Sequence, residues 1–431
     1  MLAENPNDSQ VLVIRAGINL EQRHPDRAIV DLRTVLRDNP TSAFARRLLG
    51  RAHAMKGDTS LAEDSFRNAL DLDPEDAEAY VDLARMLAAD GDADGAIAVF
   101  EGMLEVARDD RPVLQAMAQI RLQQDAFEDA LALAQRLKTE FPDRAEGFYY
   151  AGLALQGLER FDESVQEFEA ALALKPDSAE PLSAMSQSLL ASDQGEMTVD
   201  RLDAVLTQDP DNFLIQNLLG EVFGVMRQGE AAEAAFLKAK AIRPDWPLPY
   251  RNLASLYSSR EQSDKAIAVV REGIDATGGD ETLRLQLATL LEQDGQTAAA
   301  IAQYEGLLAD FPDVEVAQNN LAMLLIDGDP DQVALDRALS LVQRMNLDGN
   351  PYFRDTVGWV RYRRGEFEQA VAELEIAARE APDDSVIQYH LGMAYFHLGR
   401  ADQAKAHLQM ALSESGEFPG HQEARRTLGA L

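Results

Sequence analysis

Small and bulky apolar residues return along this chain with a step of 34 residues, with polar residues between them. One small position reads Ala16, Gly50, Ala84, Ala118, Gly152, Ser186, Gly220, Ala254, Ala288, Ala322, Gly358 and Gly392. A second reads Ala28, Ala62, Ala96, Ala130, Ser164, Thr198, Ala232, Ala266, Ala300, Ala338, Ala370 and Ala404. Leu49, Leu83, Leu219, Leu253, Leu287, Leu321 and Leu391 stand one place before the first set, and Phe66, Phe100, Phe168, Phe236 and Tyr304 four places after the second. This is the apolar spacing of a helical core face, given twice per step. Helices packed at the short end of the range of about 8–10 Å tolerate no bulky side chain between their backbones, so the pattern predicts helical hairpins closed by small-on-small contact.

The prolines carry the same ruler. Pro6, Pro40 and Pro74 are one step apart, the comb resumes at Pro142, Pro176, Pro210 and Pro244, and returns at Pro312; Arg108 and Gly278 occupy teeth that lack Pro. A fixed step means one supersecondary unit stacked many times. Twelve units start at residues 9, 43, 77, 111, 145, 179, 213, 247, 281, 315, 351 and 385 and run to 418. The tenth carries two extra residues, with Asp327-Gly-Asp-Pro-Asp331 in its turn. Segments such as Leu72-Asp-Pro-Glu-Asp-Ala77 and Leu174-Lys-Pro-Asp-Ser-Ala179 end a helix before Pro and offer Asp or Ser as the next N-cap. Gly57, Gly91, Gly229, Gly365 and Gly399 mark turns inside units.

On Leu49, Gly50, His53, Ala62, Phe66, Ala69 and Pro74 and their counterparts along essentially the whole chain, the sequence resembles the tetratricopeptide repeat (TPR) family. The resemblance implies an all-α fold: a right-handed superhelix, an α-solenoid of about twelve helix-turn-helix repeats, whose first helices line a concave groove for peptides or partner proteins. The first unit departs most, with Arg15 where Leu is expected. Residues 1–8 read as the end of a preceding repeat cut short, and 419–431 as a capping helix with Ala424, Leu428 and Leu431 on one side.

Composition narrows the partners. The 431 residues hold 40 Lys and Arg against 74 Asp and Glu, a formal net charge of −34, which repels nucleic acid and anionic membrane surfaces. There is no Cys, hence no disulfide and no thiolate metal site. No apolar run approaches the roughly 18 residues needed to cross a bilayer. A protein or peptide ligand is the expected partner, with no nucleic acid and no direct membrane insertion.

If the family register holds, the second, fifth, ninth, twelfth and thirteenth residues of each unit face the groove. Arg47, Arg51 and Arg85 would then stand on one wall, in a chain where basic residues are scarce, and hold a carboxylate or acidic segment; the alternative is pairing with neighbouring Asp and Glu. Gln115, Gln119, Gln187, Asn217, Ser255 and Asn319 offer amides and hydroxyls to an extended backbone, or simply line a solvated wall. Asn217 and Asn319 occupy the place that Asn often holds in peptide-binding TPR proteins. Near the end the wall turns apolar and aromatic, with Met323, Ile326, Tyr352, Trp359, Tyr362, Tyr389, Met393 and Phe396. Such patches mark partner sites, unless the capping helix covers them or they belong to the core.

Candidate chemistry is sparse. Asp90, Asp92, Asp94 and Glu101 satisfy a calcium-loop spacing, but the repeat register places Ala96 and Phe100 on a helix, which favours a tight turn with an N-cap Asp. Asp327, Asp329 and Asp331 lack a closing Glu. His390 and His397 are two helical turns apart, too far for shared metal ligation. No P-loop, H-E-x-x-H, G-x-S-x-G or dinucleotide glycine pattern occurs, so no enzyme activity and no cofactor is expected. Residues 355–365 and 388–395, with the tail from Phe418, also resemble the C-terminal units of bacterial TPR proteins from exopolysaccharide export and PEP-CTERM sorting loci. That resemblance implies a scaffold in the bacterial cell envelope, periplasmic and often lipid-anchored. The alternatives are a cytoplasmic TPR chaperone or regulator that clamps acidic peptide tails, or the regulatory arm of an enzyme whose catalytic domain is absent.

Overall fold

The computed structural model describes residues 8–106, 111–176, 178–347, 349–413 and 417–431. The expected end of a preceding repeat therefore lies, except for Asp8, outside the described residues, as does the Arg108 tooth of the comb. Among the described residues every regular element is an α-helix, and the chain divides into two compact segments, Met1–Pro210 and Asp211–Leu431.

The first segment holds α1 (Ser9–Glu21), α2 (Pro25–Asp38), α3 (Ala43–Lys56), α4 (Thr59–Leu72), α5 (Ala77–Ala89), α6 (Ala93–Val106), α7 (Arg111–Gln123), α8 (Phe127–Glu140), α9 (Ala145–Gly157), α10 (Phe161–Leu174), α11 (Ala179–Ala191) and α12 (Gly195–Gln208). The second holds α13 (Phe213–Val225), α14 (Gly229–Ile242), α15 (Leu248–Ser259), α16 (Ser263–Thr277), α17 (Glu281–Gln293), α18 (Thr297–Asp310), α19 (Glu315–Ile326), α20 (Gln332–Val342), α21 (Pro351–Arg363), α22 (Phe367–Glu380), α23 (Ser385–His397), α24 (Ala401–Ala411) and α25 (His421–Ala430). Each odd-numbered helix up to α23 pairs with the next, and each pair packs on its neighbours within its segment.

The expected small-on-small contact is present, as in Ser164 donating its hydroxyl to Gly152 O at 2.9 Å, and a bulky side chain joins it. A Cβ added to Gly50 would fall 2.7 Å from the Phe66 ring, at Gly152 2.5 Å from Phe168, and at Gly220 2.5 Å from Phe236. At Gly358 and Gly392 the collisions are with Leu374 and Leu408. The small residue thus also meets a bulky side chain from the second helix, sixteen residues on in every case, seated in the space the missing Cβ leaves. The second small position brings backbone close: the Ala370 carbonyl oxygen lies 3.2 Å from the Cβ that Gly358 lacks. Phe66 and Phe168 are fully buried there, so each ring contributes its whole apolar surface to the hairpin.

The turn inside every pair but the tenth has a fixed shape. Arg23, Gly57, Gly91, Asp125, Glu159, Asp193, Arg227, Glu261, Gly295, Gly365 and Gly399 all have positive φ, between 55° and 86°. The residue after each closes back on the first helix, as in Asp58 N–H to His53 O at 3.0 Å and Gln262 N–H to Tyr257 O at 2.9 Å. This is a Schellman-type ending, which Gly adopts freely and other residues adopt under strain. Gly229, expected in a turn, instead opens α14, and Arg227 takes the left-handed position. Between pairs, Ser42, Asp76, Asn212, Asp280 and Asp384 cap the next helix through their side chains, while Ser178 makes no such bond. In the tenth repeat Asp331 caps α20 through Ala334 N–H at 2.8 Å, and the Arg363 guanidinium donates to the carbonyls of Ile326 and of Gly328, the latter at 2.7 Å. The insertion is thereby tied down by the following repeat.

Two stability outcomes follow from this geometry. Gly152→Ala drives a methyl into the Phe168 ring and is expected to cost about 1–3 kcal/mol in denaturant unfolding, with the ring forced off its rotamer. Glu261→Gly releases a left-handed side-chain residue and is expected to stabilise by about 1 kcal/mol; an unchanged or lower midpoint would show that Glu261 carries no strain.

Candidate functional site

The first helices of three consecutive repeats, α3, α5 and α7, together with α6, enclose a cleft of about 550 Å³. Its charged edge is Arg47 and Arg51 from α3 with Glu78, Asp82 and Arg85 from α5; its apolar lining includes Val81, Phe100, Met103, Val113 and Ala116. The three arginines come together as the register implies, but they are not equivalent. Arg47 is buried, with its side chain 8% exposed, its Nε 3.1 Å from Asp76 Oδ2 and its Nη1 bonded to Glu78. For Arg47 the alternative of pairing with neighbouring carboxylates holds, although its Nε makes no hydrogen bond among the described residues. Arg51 is half exposed, 3.8 Å from Asp82 Oδ2 and too far for a hydrogen bond. Arg85 is exposed and makes no hydrogen bond or ion pair among the described residues.

Asp82 is the group that the sequence reading missed. It sits one helical turn after Glu78 and one before Arg85, so helical spacing alone placed it on their face. Its side chain is 16% exposed, and its Oδ2 has no hydrogen-bond partner among the described residues. Burial pushes its carboxyl above the ordinary carboxylate value, against the opposing pull of Arg51, Arg47 and Arg85.

The structure divides the C-terminal aromatic set. Ile326, Tyr389 and Met393 are buried, Met323, Trp359, Tyr362 and Phe396 are half-buried, and Tyr352 alone is well exposed. The covering element is α25: Tyr389, Met393, Leu408, Ala411 and Ala424 form one cluster, with Trp359, Tyr362, Phe418 and Leu428 packed on it. Tyr389 donates its hydroxyl to Glu423 at 2.8 Å, and burial together with that bond pushes its phenol well up. Burial likewise pushes Tyr362 up to about 12. Ile326 belongs to the core cluster of its own segment. The eight residues are therefore no open wall; four of them, Trp359, Tyr362, Tyr389 and Met393, are in the cluster beneath the cap. Beneath it His390 bonds Asp355 at 2.8 Å and stacks on Trp359 at 3.9 Å, while Trp359 stacks on Tyr362 at 4.3 Å; His397 stacks on Phe367 at 4.9 Å.

The polar positions also separate. Asn217 is buried, donating to Glu221 at 2.8 Å and accepting from Asn252 at 3.1 Å. Asn319 donates to Asn320, and its own Oδ1 is buried without a partner among the described residues. Gln119, Gln187 and Ser255 are exposed, and Gln115 is half-buried. The calcium-loop spacing resolves into a turn and a helix: α6 starts at Ala93, Asp92 accepts from Gly95 N–H at 2.9 Å, and Asp94 pairs with Arg121 at 2.6 Å. Asp90, Asp92, Asp94 and Glu101 do not converge, and no group of three or more metal-ligating side chains occurs among the described residues.

Stacked helix pairs that turn their first helices into a side-chain cleft define a repeat scaffold for protein or peptide ligands. The chain belongs to the tetratricopeptide repeat superfamily. The model of the cytochrome c-type biogenesis protein H TPR domain matches residues 3–146, and tetratricopeptide repeat models match 116–179, 282–313 and 358–421. A TPR repeat-containing protein of Pseudomonas aeruginosa is 27% identical over 206 residues, 47% of this chain and 34% of that protein. Cellulose synthase 1 operon protein C of Komagataeibacter xylinus is 25% identical over 307 residues, 70% of this chain and 21% of that protein. The chain thus spans a third or less of the length of these relatives. Among solved structures, the anaphase-promoting complex heterotetramer Cut9-Hcn1 aligns over 98% of this chain and 96% of its own, with a TM-score of 0.43 and 15% identity. Among the described residues no helix is long and apolar enough to cross a membrane.

The burial of Asp82 sets a pH dependence. Because the folded state holds this proton more tightly than the unfolded one, ionised Asp82 weighs against folding at neutral pH, and the cost fades as pH falls through the raised pKa toward the ordinary carboxylate value. Asp82→Asn is expected to be more stable than the parent at pH 7, with the difference shrinking toward pH 4; a difference constant with pH would contradict this.

Proposed function

We propose that this chain is a non-catalytic scaffold that holds an acidic, partly apolar peptide segment of a partner protein in the cleft of its second to fourth repeats. The observation that carries the reading is the pair Arg51 and Arg85 beside the apolar lining of one cleft. Two guanidiniums in one place attract carboxylates geometrically as well as by charge, and the net charge of −34 confines that attraction to the patch. Asn319, half-buried with an unpartnered Oδ1 among the described residues, is proposed as a further polar contact, and exposed Tyr352 and half-buried Met323 as the accessible part of the C-terminal set; Asn217, buried and bonded to Glu221 and Asn252, is not.

The assembly we propose it serves is bacterial exopolysaccharide export, in the cell envelope. The likeness to cellulose synthase 1 operon protein C across 70% of the chain supports this, as does the resemblance of the last repeats to export-locus proteins. Surface-protein sorting rests on that last resemblance alone. A second reading, a cytoplasmic chaperone or regulator that clamps acidic tails, is favoured by the same two arginines and differs in compartment and partner rather than in the cleft.

In fluorescence anisotropy, peptides that combine Glu or Asp with Leu or Val are expected to bind, with affinity falling as salt rises. The Arg51→Ala, Arg85→Ala double variant should lose tenfold or more, given about 1.5–3 kcal/mol for a hydrogen bond to a charged group. Equal binding by parent and variant would remove the cleft from the function. A photo-crosslinking residue at position 77, an exposed part of the cleft lining, expressed in the native organism, separates the compartments: adducts with polysaccharide-export components support the first reading, and adducts with cytoplasmic proteins the second.

A further inference from the structure

Arginines alone do not account for the cleft. At its centre Asp82 Oδ2 is buried and lacks a hydrogen-bond donor among the described residues, an arrangement that costs stability unless something donates to it. Arg51 is the nearest cation paired with it, at 3.8 Å, beyond hydrogen-bond reach. α3 contributes Arg47 and Arg51 to the lining, α5 contributes Glu78, Asp82 and Arg85, and α6 and α7 contribute apolar side chains.

Resting on the reading of this cleft as a peptide site, we propose that Asp82 recognises the ligand's main chain: it accepts a backbone N–H from an extended, internal segment in which an acidic residue adjoins an apolar one. The acidic side chain meets Arg51 and Arg85, and the apolar side chain rests on Phe100, Met103 and Val113. A neutral amide is the donor that fits, because two guanidiniums beside Asp82 repel a Lys or Arg offered in its place. The cleft volume of about 550 Å³ lies within the roughly 300–1,000 Å³ of small-ligand sites. The amide fixes the register of the segment, which charge attraction by itself leaves free to slide.

The test uses the whole chain and acetylated, amidated peptides with a Glu-Leu core, each backbone N–H removed in turn by N-methylation. One position is expected to weaken binding about tenfold or more in the parent, to have no effect in Asp82→Ala, and to retain part of its effect in Asp82→Asn, whose carbonyl still accepts. Circular dichroism confirms that both variants are folded. If N-methylation weakens binding equally in the parent and in Asp82→Ala, the loss is steric and the role of Asp82 is overturned, while a loss in the Arg51→Ala, Arg85→Ala variant keeps the peptide site itself. If no acidic-apolar peptide binds the parent, the peptide site fails and this inference with it.

Discussion

The rest of this structure depends on one side chain filling the space that another lacks. Where Gly50, Gly152 and Gly220 omit a Cβ, a phenyl ring from the paired helix lies close enough that a methyl group would strike it. The ring cannot be accommodated unless the first helix is bare at that point, and the helices cannot close without the ring to fill the gap. This one fit fixes the separation and register of the two helices, and everything outside the pair inherits it. Of the three hairpins beside the cleft, α3 carries this fit as Gly50 and Phe66, while α5 and α7 carry Ala84 and Ala118 at the same place.

The turns add a second constraint with a different source. A helix that must reverse within a few residues needs one residue in the left-handed region, whatever its side chain. Gly57, Gly91 and Gly295 meet the need freely; Asp125, Glu159, Asp193, Arg227 and Glu261 meet it because packing on both sides leaves no other route. Backbone strain at these positions is a result of the tertiary contact, which outweighs it.

The sequence made the repeats legible because small, bulky and proline positions each repeat with one period, and a period is visible without knowing what touches what. It did not reveal that the small positions receive a ring, since small residues look the same facing a ring or each other. The arginine cluster was legible in the same way, from positions on one helix face. Its internal order was not, because the commitment of Arg47 to Asp76 and Glu78 depends on side-chain paths from the next helix. Asp82 was hidden among many acidic residues; only burial distinguishes it. The aromatic positions misled for a related reason. Groove register says which way a residue points but not what is laid over it, and α25 lies over Tyr389 and Met393.

The loop of the tenth repeat shows how such a chain absorbs change. Its extra residues are taken up between α19 and α20, Arg363 of the following repeat binds the displaced carbonyls, and the helix pairs beyond it keep the same Gly-to-Leu fit at Gly358 and Gly392. A gene encoding this protein can therefore lengthen at a turn, or by whole repeats, without rewriting any contact already made, because each module meets only its neighbours. Copy number becomes a heritable variable separate from recognition: the array can grow to a new span while its arginine cleft is inherited unaltered.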